Sequence, residues 1–467
     1  MSTVLTRTGI RPLVDRLTHR DSYRLVYLTL IVAALVMGLS VTASHSLAFS
    51  PFDEWMYFDY LNKFPTQGFI RLGEPVGTTA MNWMACNGLQ AYGNPVDACG
   101  VTPIDYTIFP FKGVQSAQLY TPLYFAPTWL VASAVQAVTG LTFLEAARFA
   151  GTLWLIGTMV AMTAVLRMFK VHATAAIGVG LLFLATPFAW WTYTFVSTDA
   201  PGALVGAVAV ILIERVIRGR LNAWWLVPFF VLVVLIKAVN VISIGIVLLY
   251  AIARIVSRRH HYPAWRRPGL WRAAIAGRGP IAPITGTLVA GLAAAIAQVA
   301  WSRFVAANVI GLGPVMGDER PMKAADAVGL AWAFIPSMFG TGSSELSAMS
   351  TDFAGAPFIG QAIGWLCIGG VLGVVWLNRQ RGLQRAVTNV TLVASVLAGP
   401  VLAVVFTASV GTFVNLGARY GANLIPLILA SVAILAAGRP HRRILLVLAC
   451  VCYVFVIGVT VADALTR

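Results

Sequence analysis

A chain of 467 residues that is 58% hydrophobic and only 11% charged is too apolar for a water-soluble fold and long enough for many membrane crossings. Its net charge of +16 would suggest nucleic acid in a soluble protein. Here the arginines gather in short segments between apolar runs, as membrane orientation requires, and no basic stretch carries the interleaved aromatics of a nucleic-acid platform.

The apolar runs reach roughly 18 residues or more, enough to cross about 30 Å of hydrocarbon, and they lack the short alternating pattern of a β-barrel. The expectation is an all-α polytopic membrane protein. Residues 1–23 form a cytoplasmic segment holding Arg7, Arg11, Arg16 and Arg20, ahead of a first span over 24–45. That run is longer than a usual signal-peptide core, so it reads as a retained anchor, although VTASHSLA could pass as a cleavage site.

Residues 46–146 are expected to form a large extracytoplasmic loop. It opens with SPFDEWMYFDYLNKFP, residues 50–65, where Asp53, Glu54 and Asp59 sit among aromatics. On a helix Asp53 and Tyr57 are one turn apart, Glu54 points about 100° away and Asp59 is displaced by nearly two turns. Trp55, Phe58 and Tyr60 are expected at the headgroup level, which makes this an interfacial helix holding carboxylates at the membrane surface. The plainer alternative is an acidic turn that solvates a loop. Cys86 and Cys99 share the loop; outside the cell membrane such a pair reads as a disulfide.

The stretch YTPLYFAPTWLVASAVQAVTG, residues 120–140, decides the topology. If it crosses the membrane, Arg167, Lys170, Arg215, Arg218 and Arg220 fall outside. As an outer-surface helix or re-entrant element it leaves all of them inside, and the Lys/Arg bias favours that reading. Just after it, Arg148 follows Glu145 by three residues, the spacing of a local ion pair.

Spans are then expected over 24–45, 147–166, 173–192, 200–214, 224–238, 239–253, 283–304, 358–377, 387–409, 421–437 and 444–463, about eleven in all. Residues 147–304 hold the second to seventh spans, with a basic inner loop at 254–282 suited to anionic lipid. Residues 305–357 form a second extracytoplasmic loop, and 358–467 hold the last four spans. The fifth and sixth spans are short, with Lys237 and Asn240 near their turn, as suits a pair inside the bundle. Of the 17 acidic residues only Asp15, Asp21 and Glu214 fall away from the outer side. Acids contribute little to insertion, so this asymmetry marks the outside as the place for carboxylate chemistry. Cys367, Cys450 and Cys452 lie in spans and suit packing. His45, His172, His260, His261 and His441 have no zinc-site spacing.

Four separated stretches resemble the GT-C superfamily of integral membrane glycosyltransferases, which use polyprenyl-phosphate sugars. Asp53-Glu54 after the opening span is similar to that superfamily's acidic pair. TPLYFAPTWLVASAVQAVTG followed by EAARFAG looks like the proline-aromatic outer helix and the following span of the protein O-mannosyltransferase and aminoarabinose-transferase branch. STDAP, with Asp199, is similar to an Arg-Pro-Asp pattern but lacks the Arg-Pro. GARYGANLIPLILA resembles the Arg-Tyr that opens a late span, and in VLIKAVN only Lys237 matches a Thr-Lys-Gly pattern.

The resemblance implies a GT-C-like bundle with interfacial helices in the first outer loop, in a bacterial inner membrane, with its active site on the extracytoplasmic face. It implies Asp53 as the general base of an inverting transfer, with Glu54 orienting the base, a substrate hydroxyl or a metal. Arg419 and Lys237 would bind the donor phosphate, and Tyr57, Asp59, Asp199 and Tyr420 the substrates; Asp199 serves equally as a helix cap with Ser197 or Thr198. Arg303, Arg320 and Lys323 are further outer cations. The partners are a polyprenyl-phosphate sugar donor, a glycan, glycolipid or protein acceptor, and membrane lipids. The sequence assures no cofactor; a divalent cation on Asp53, Glu54 and Asp59 is chemically allowed but has no supporting motif. The Ala-, Arg- and Trp-rich composition fits a GC-rich bacterial source, where arabinose and mannose donors are reasonable. A transporter or flippase of lipid-linked sugars, and an O-antigen-type polymerase or ligase, are the rival readings.

Overall fold

In the computed structural model, which describes residues 10–50, 53–90, 99–100, 104–258, 270–314, 320–337, 356–377, 382–410, 413 and 416–466, apolar runs become helices and polar residues set their ends. After α1 (Ile10–Ser44) comes a long connection carrying α2 (Glu54–Gln67) and α3 (Thr78–Asn87). Then follow α4 (Pro122–Thr139), α5 (Phe143–Met168), α6 (Ala173–Leu184), α7 (Pro187–Thr192) and α8 (Pro201–Ile217). The middle of the chain forms α9 (Leu226–Ile236), α10 (Val241–Arg258), α11 (Leu270–Ile275), α12 (Ala282–Ala307) and α13 (Ala324–Ser337). The last helices are α14 (Ala356–Leu377), α15 (Leu383–Val410), α16 (Ile425–Leu435) and α17 (Arg439–Thr466). Among the described residues the extended backbone makes only two single bridges, Phe49 to Leu89 and Pro75 to Val114.

Among the described residues six helical stretches are long and apolar enough to cross a membrane: Tyr23–Ser44, Phe143–Met168, Ala238–Val256, Ala282–Ala307, Leu383–Ala408 and Arg439–Ala462. Shorter apolar helices cover Ala173–Leu184, Ala223–Ile236, Phe358–Gly373 and Arg419–Leu435. This is the architecture of a multi-pass membrane protein. The outward face of α12 fits it: Leu288, Leu292, Ile296 and Val299 are exposed one turn apart, a stripe that belongs against hydrocarbon rather than water.

Residues 120–140 fold as α4, started by Pro122 and the Thr121 hydroxyl and closed by Gly140 in the left-handed conformation (φ 71°). From there the chain reverses into α5. Thr142 and Glu145 form a capping box at the start of α5. The expected Glu145–Arg148 pair is therefore corrected: Glu145 Oε2 accepts from the Thr142 N–H at 2.9 Å, and Arg148 turns inward. Within 305–357, read from sequence as a loop, α13 packs so tightly on α15 that a Cβ on Gly399 would lie 2.4 Å from the Leu330 carbonyl oxygen.

The connection between α1 and α4 has its own apolar core, separate from that of the bundle. Here the expectation for the aromatics fails. Trp55, Phe58 and Tyr60 do not rest on headgroups; all three are buried, because α2 is packed between α3 and α4 and uses its rings on both sides. Tyr60 stacks on Phe125 with centroids 3.7 Å apart, and Phe58 meets Phe49 and Trp83.

Cys86 and Cys99 are joined as a disulfide across 13 residues of sequence. Closing a loop of this size is worth about 3 kcal/mol in the chain-entropy estimate. Non-reducing peptide mapping is expected to recover the two cysteines as one linked peptide, and Cys86→Ser to lower unfolding free energy by about that amount. In the basic loop 254–282, residues 259–269, with His260 and His261, lie outside the described residues.

Candidate functional site

The site lies where helices start and stop. Asp53 is the N-cap of α2, but its side chain makes no capping bond, and its φ of 50° is left-handed. Lys237 ends α9 in extended backbone (φ −157°, ψ 124°), and a single 3-10 turn, Ala238–Asn240, leads into α10. Asp199 lies two residues before the start of α8, and the 3-10 stretch Ala418–Leu424 leads into α16.

Polar cross-links hold these ends together. Asn423 Nδ2 donates to the Gly202 carbonyl at 3.0 Å and to Asn240 Oδ1 at 3.1 Å. Gly206 of α8 faces the Asn423 backbone so closely that a Cβ would lie 2.1 Å from its carbonyl oxygen; only glycine permits that approach.

Four charges alternate at this junction. Arg419 Nη2 donates to Asp53 Oδ2 at 2.9 Å, and Arg419 Nε lies 3.3 Å from Asp199 Oδ2. Lys237 Nζ donates to Asp199 Oδ1 at 2.5 Å. Side-chain exposure falls along the series, from 33% at Asp53 and 18% at Arg419 to 6% at Asp199 and 5% at Lys237. Two carboxylates balance two cations. The two innermost members, Asp199 and Lys237, are tolerable there as a pair, because removing either leaves a buried uncompensated charge.

Aromatics and hydroxyls line the same place. Lys237 Nζ lies 5.1 Å from the Tyr420 ring centroid and 5.7 Å from that of Tyr120, and the Arg419 guanidinium is 5.7 Å from the Tyr420 centroid. Thr198 Oγ1 donates to the Tyr57 hydroxyl at 3.1 Å, and Tyr57 donates to the Tyr120 hydroxyl at 3.3 Å. Burial pushes the Tyr57 phenol well above its ordinary range, with the neighbouring Tyr120 adding to the effect. Burial raises Tyr120 likewise. Both stay protonated at neutral pH, as neutral hydrogen-bonding groups.

Compared with protein-family models and with curated proteins, the chain matches none. What the site can do rests on its own residues.

Of the residues singled out from sequence, Asp53, Tyr57, Asp199, Lys237, Arg419 and Tyr420 converge here. Glu54 does not. Its Oε1 accepts from the Val196 N–H at 3.0 Å and Arg148 Nε at 2.9 Å. Its Oε2 accepts from the Ser50 N–H at 2.7 Å and Arg148 Nη2 at 2.9 Å. With every acceptor position used and no exposure, Glu54 cannot orient a substrate hydroxyl. Asp59 also departs from its expected substrate role. It is buried, accepts from the Gly77 N–H at 2.8 Å and Gln115 Nε2 at 2.9 Å, and pairs with Lys63 at 2.8 Å. It ties the connection to itself.

Asp53, Glu54 and Asp59 thus point to three different partners, and among the described residues no group of three His, Cys, Asp or Glu is arranged to hold a metal. Asp199 is not a side-chain cap of α8; its carboxylate is taken by the two cations, and Ala200 holds the cap position. Arg320 makes a two-pronged pair with Asp326 at 2.8 and 3.0 Å, and its hydrogen bond holds that carboxyl at about 2. The Lys323 N–H donates to Asp326 Oδ2 at 2.8 Å, and Arg303 is exposed on α12.

Sequence reasoning passed over Arg148, Tyr120 and Thr198 as partners in this region. For Arg148 a signal existed. Thr142 and Glu145 spell a capping box, which occupies Glu145 and leaves an arginine inside an apolar helix needing a distant acid.

Proposed function

We propose that the chain is an integral membrane glycosyltransferase of the GT-C type, which moves a sugar from a polyprenyl-phosphate donor to a glycan, glycolipid or protein acceptor with inversion. The observation that carries this reading is the pairing of Asp53, a third exposed, with Arg419, with a second cation and carboxylate behind it. The reaction needs a carboxylate that can take a proton and cations that can take a phosphate; both requirements are met within one charge series.

In the transfer, the acceptor hydroxyl oxygen attacks the anomeric carbon and its proton passes to Asp53. The bond from that carbon to the phosphate oxygen breaks, and its electron pair leaves with the lipid phosphate. Arg419, and behind it Lys237, stabilise that charge. The guanidinium suits the task because it can exchange a carboxylate for a phosphate without changing its planar donor geometry. Tyr57, Tyr120, Tyr420 and Thr198 offer ring faces and hydroxyls to the sugar.

Eleven crossings, combining the six long helices, the four shorter apolar ones and α8, and an extracytoplasmic site in a bacterial inner membrane complete the proposal. Mannose and arabinose are the donor sugars to try first. The test is purified protein incubated with a panel of polyprenyl-phosphate sugars and candidate acceptors, with products read by mass spectrometry and anomeric configuration by NMR. The expected product carries a new glycosidic bond of inverted configuration. Movement of labelled glycolipid across liposomes with no new glycosidic bond, for every donor tried, would replace this reading with a transporter.

A further inference from the structure

We infer that Glu54 and Arg148 are positioning residues, a buried ion pair that fixes the segment bearing Asp53 against the segment bearing Asp199. The inference rests on the glycosyltransferase reading for its catalytic consequence, but its structural content stands apart from it.

The pair is a three-way junction. Glu54 accepts from the Ser50 N–H of one segment and the Val196 N–H of another. Arg148, from α5, donates to the Ser46 carbonyl at 2.7 Å and the Ala48 carbonyl at 2.6 Å, and grips both oxygens of Glu54. Its guanidinium also lies over the Phe195 ring, 4.8 Å from the centroid. One carboxylate and one guanidinium therefore join Ser46, Ala48 and Ser50, the start of α2, residues 195–196 and α5. Asp53 immediately precedes Glu54, and Asp199 follows Val196 by three positions.

Two physical arguments make this geometry rather than bulk stability. A buried ion pair of similar volume can often be exchanged for apolar side chains with little loss of stability, so its net contribution does not require it here. The conformation beside it does need support. Asp53 holds φ at 50°, a region that residues other than glycine occupy only when their surroundings impose it. Glu54, adjacent to Asp53, bonds back to the Ser50 N–H, and the same carboxylate carries the constraint to Val196. Both side chains are at most 1% exposed, so no substrate reaches them.

The experiment uses Glu54→Gln and Arg148→Lys in the full-length protein, with Asp59→Asn as control, because Asp59 is an equally buried carboxylate that ties only the connection to itself. Hydrogen–deuterium exchange is read on peptides covering 46–54 and 195–199, and steady-state transfer on the same preparations. Both variants are expected to speed exchange in the two peptides together, while Asp59→Asn leaves 195–199 at the wild-type rate. Turnover is expected to fall by up to about 100-fold, the scale of a roughly 1 Å misplacement of reacting groups, with the donor KM within about twofold because Arg419 and Lys237 are untouched. Unchanged exchange at 195–199 in both variants would overturn the junction. Wild-type turnover despite loosened segments would overturn its positioning role. If wild-type protein transfers no sugar from any donor, the glycosyltransferase reading falls, and coupled or uncoupled exchange alone decides for or against the junction.

Discussion

Asp53→Asn is expected to slow sugar transfer by about 10³-fold while leaving donor binding within a few-fold of wild type. The substitution is nearly isosteric, and the amide oxygen can still accept from Arg419 Nη2, now 2.9 Å from the carboxylate, so the junction keeps its shape. What it loses is the ability to take a proton from the attacking hydroxyl, and general-base assistance is worth about 10²–10⁴-fold. The charge change works in the opposite direction for binding. Arg419 keeps Asp199 beside it but faces one carboxylate charge fewer, and a donor phosphate meets less competition. Single-turnover transfer together with equilibrium donor binding separates the two effects. Transfer near the wild-type rate would remove Asp53 as the base, and lost donor binding would assign it to phosphate recognition through Arg419 instead.

How much of this was legible in the sequence depended on what kind of information each feature needs. The helical membrane architecture was, because apolar run length is a local property set by bilayer thickness. The four charges that meet at the junction stood out as candidates too, since charges beside apolar runs are conspicuous whatever they pair with. Their convergence was not. Asp53 and Arg419 are 366 positions apart, and nothing along the chain reports which helix ends share a level in the bundle.

The choice between neighbouring carboxylates was likewise hidden. Asp53 and Glu54 differ by one helical step, and which of them faces inward depends on Arg148, itself expected to bind elsewhere. Asp59 and the rings of Trp55, Phe58 and Tyr60 were misjudged for one shared reason. The helix at the start of the first outer loop was read as lying on lipid, whereas the connection builds an apolar core that encloses it. Once α2 is enclosed on both sides, its aromatics have no headgroups to meet and Asp59 must find partners within the connection.

Arg419→Ala is expected to lower kcat/KM for the donor by about 10³-fold, through both ground-state binding and leaving-group stabilisation. Removing one hydrogen-bonded charge from a desolvated anion site typically costs about 2–5 kcal/mol, equivalent to roughly 30-fold or more in affinity. Loss of a donor aimed at the departing oxygen adds about 10²-fold in turnover. The fold should survive, because the two carboxylates left behind have other recourse: Asp199 keeps Lys237 at 2.5 Å, and Asp53 is exposed enough to be hydrated. Arg419→Lys restores the charge but not the fork that now reaches Asp53 through Nη2 and Asp199 through Nε, so it should recover affinity in part and turnover less. Donor binding measured on detergent-purified variants decides the matter. Unchanged affinity in Arg419→Ala would mean that the guanidinium serves only to neutralise the two carboxylates, and the phosphate would then have to be sought at Lys237, the remaining cation of the series.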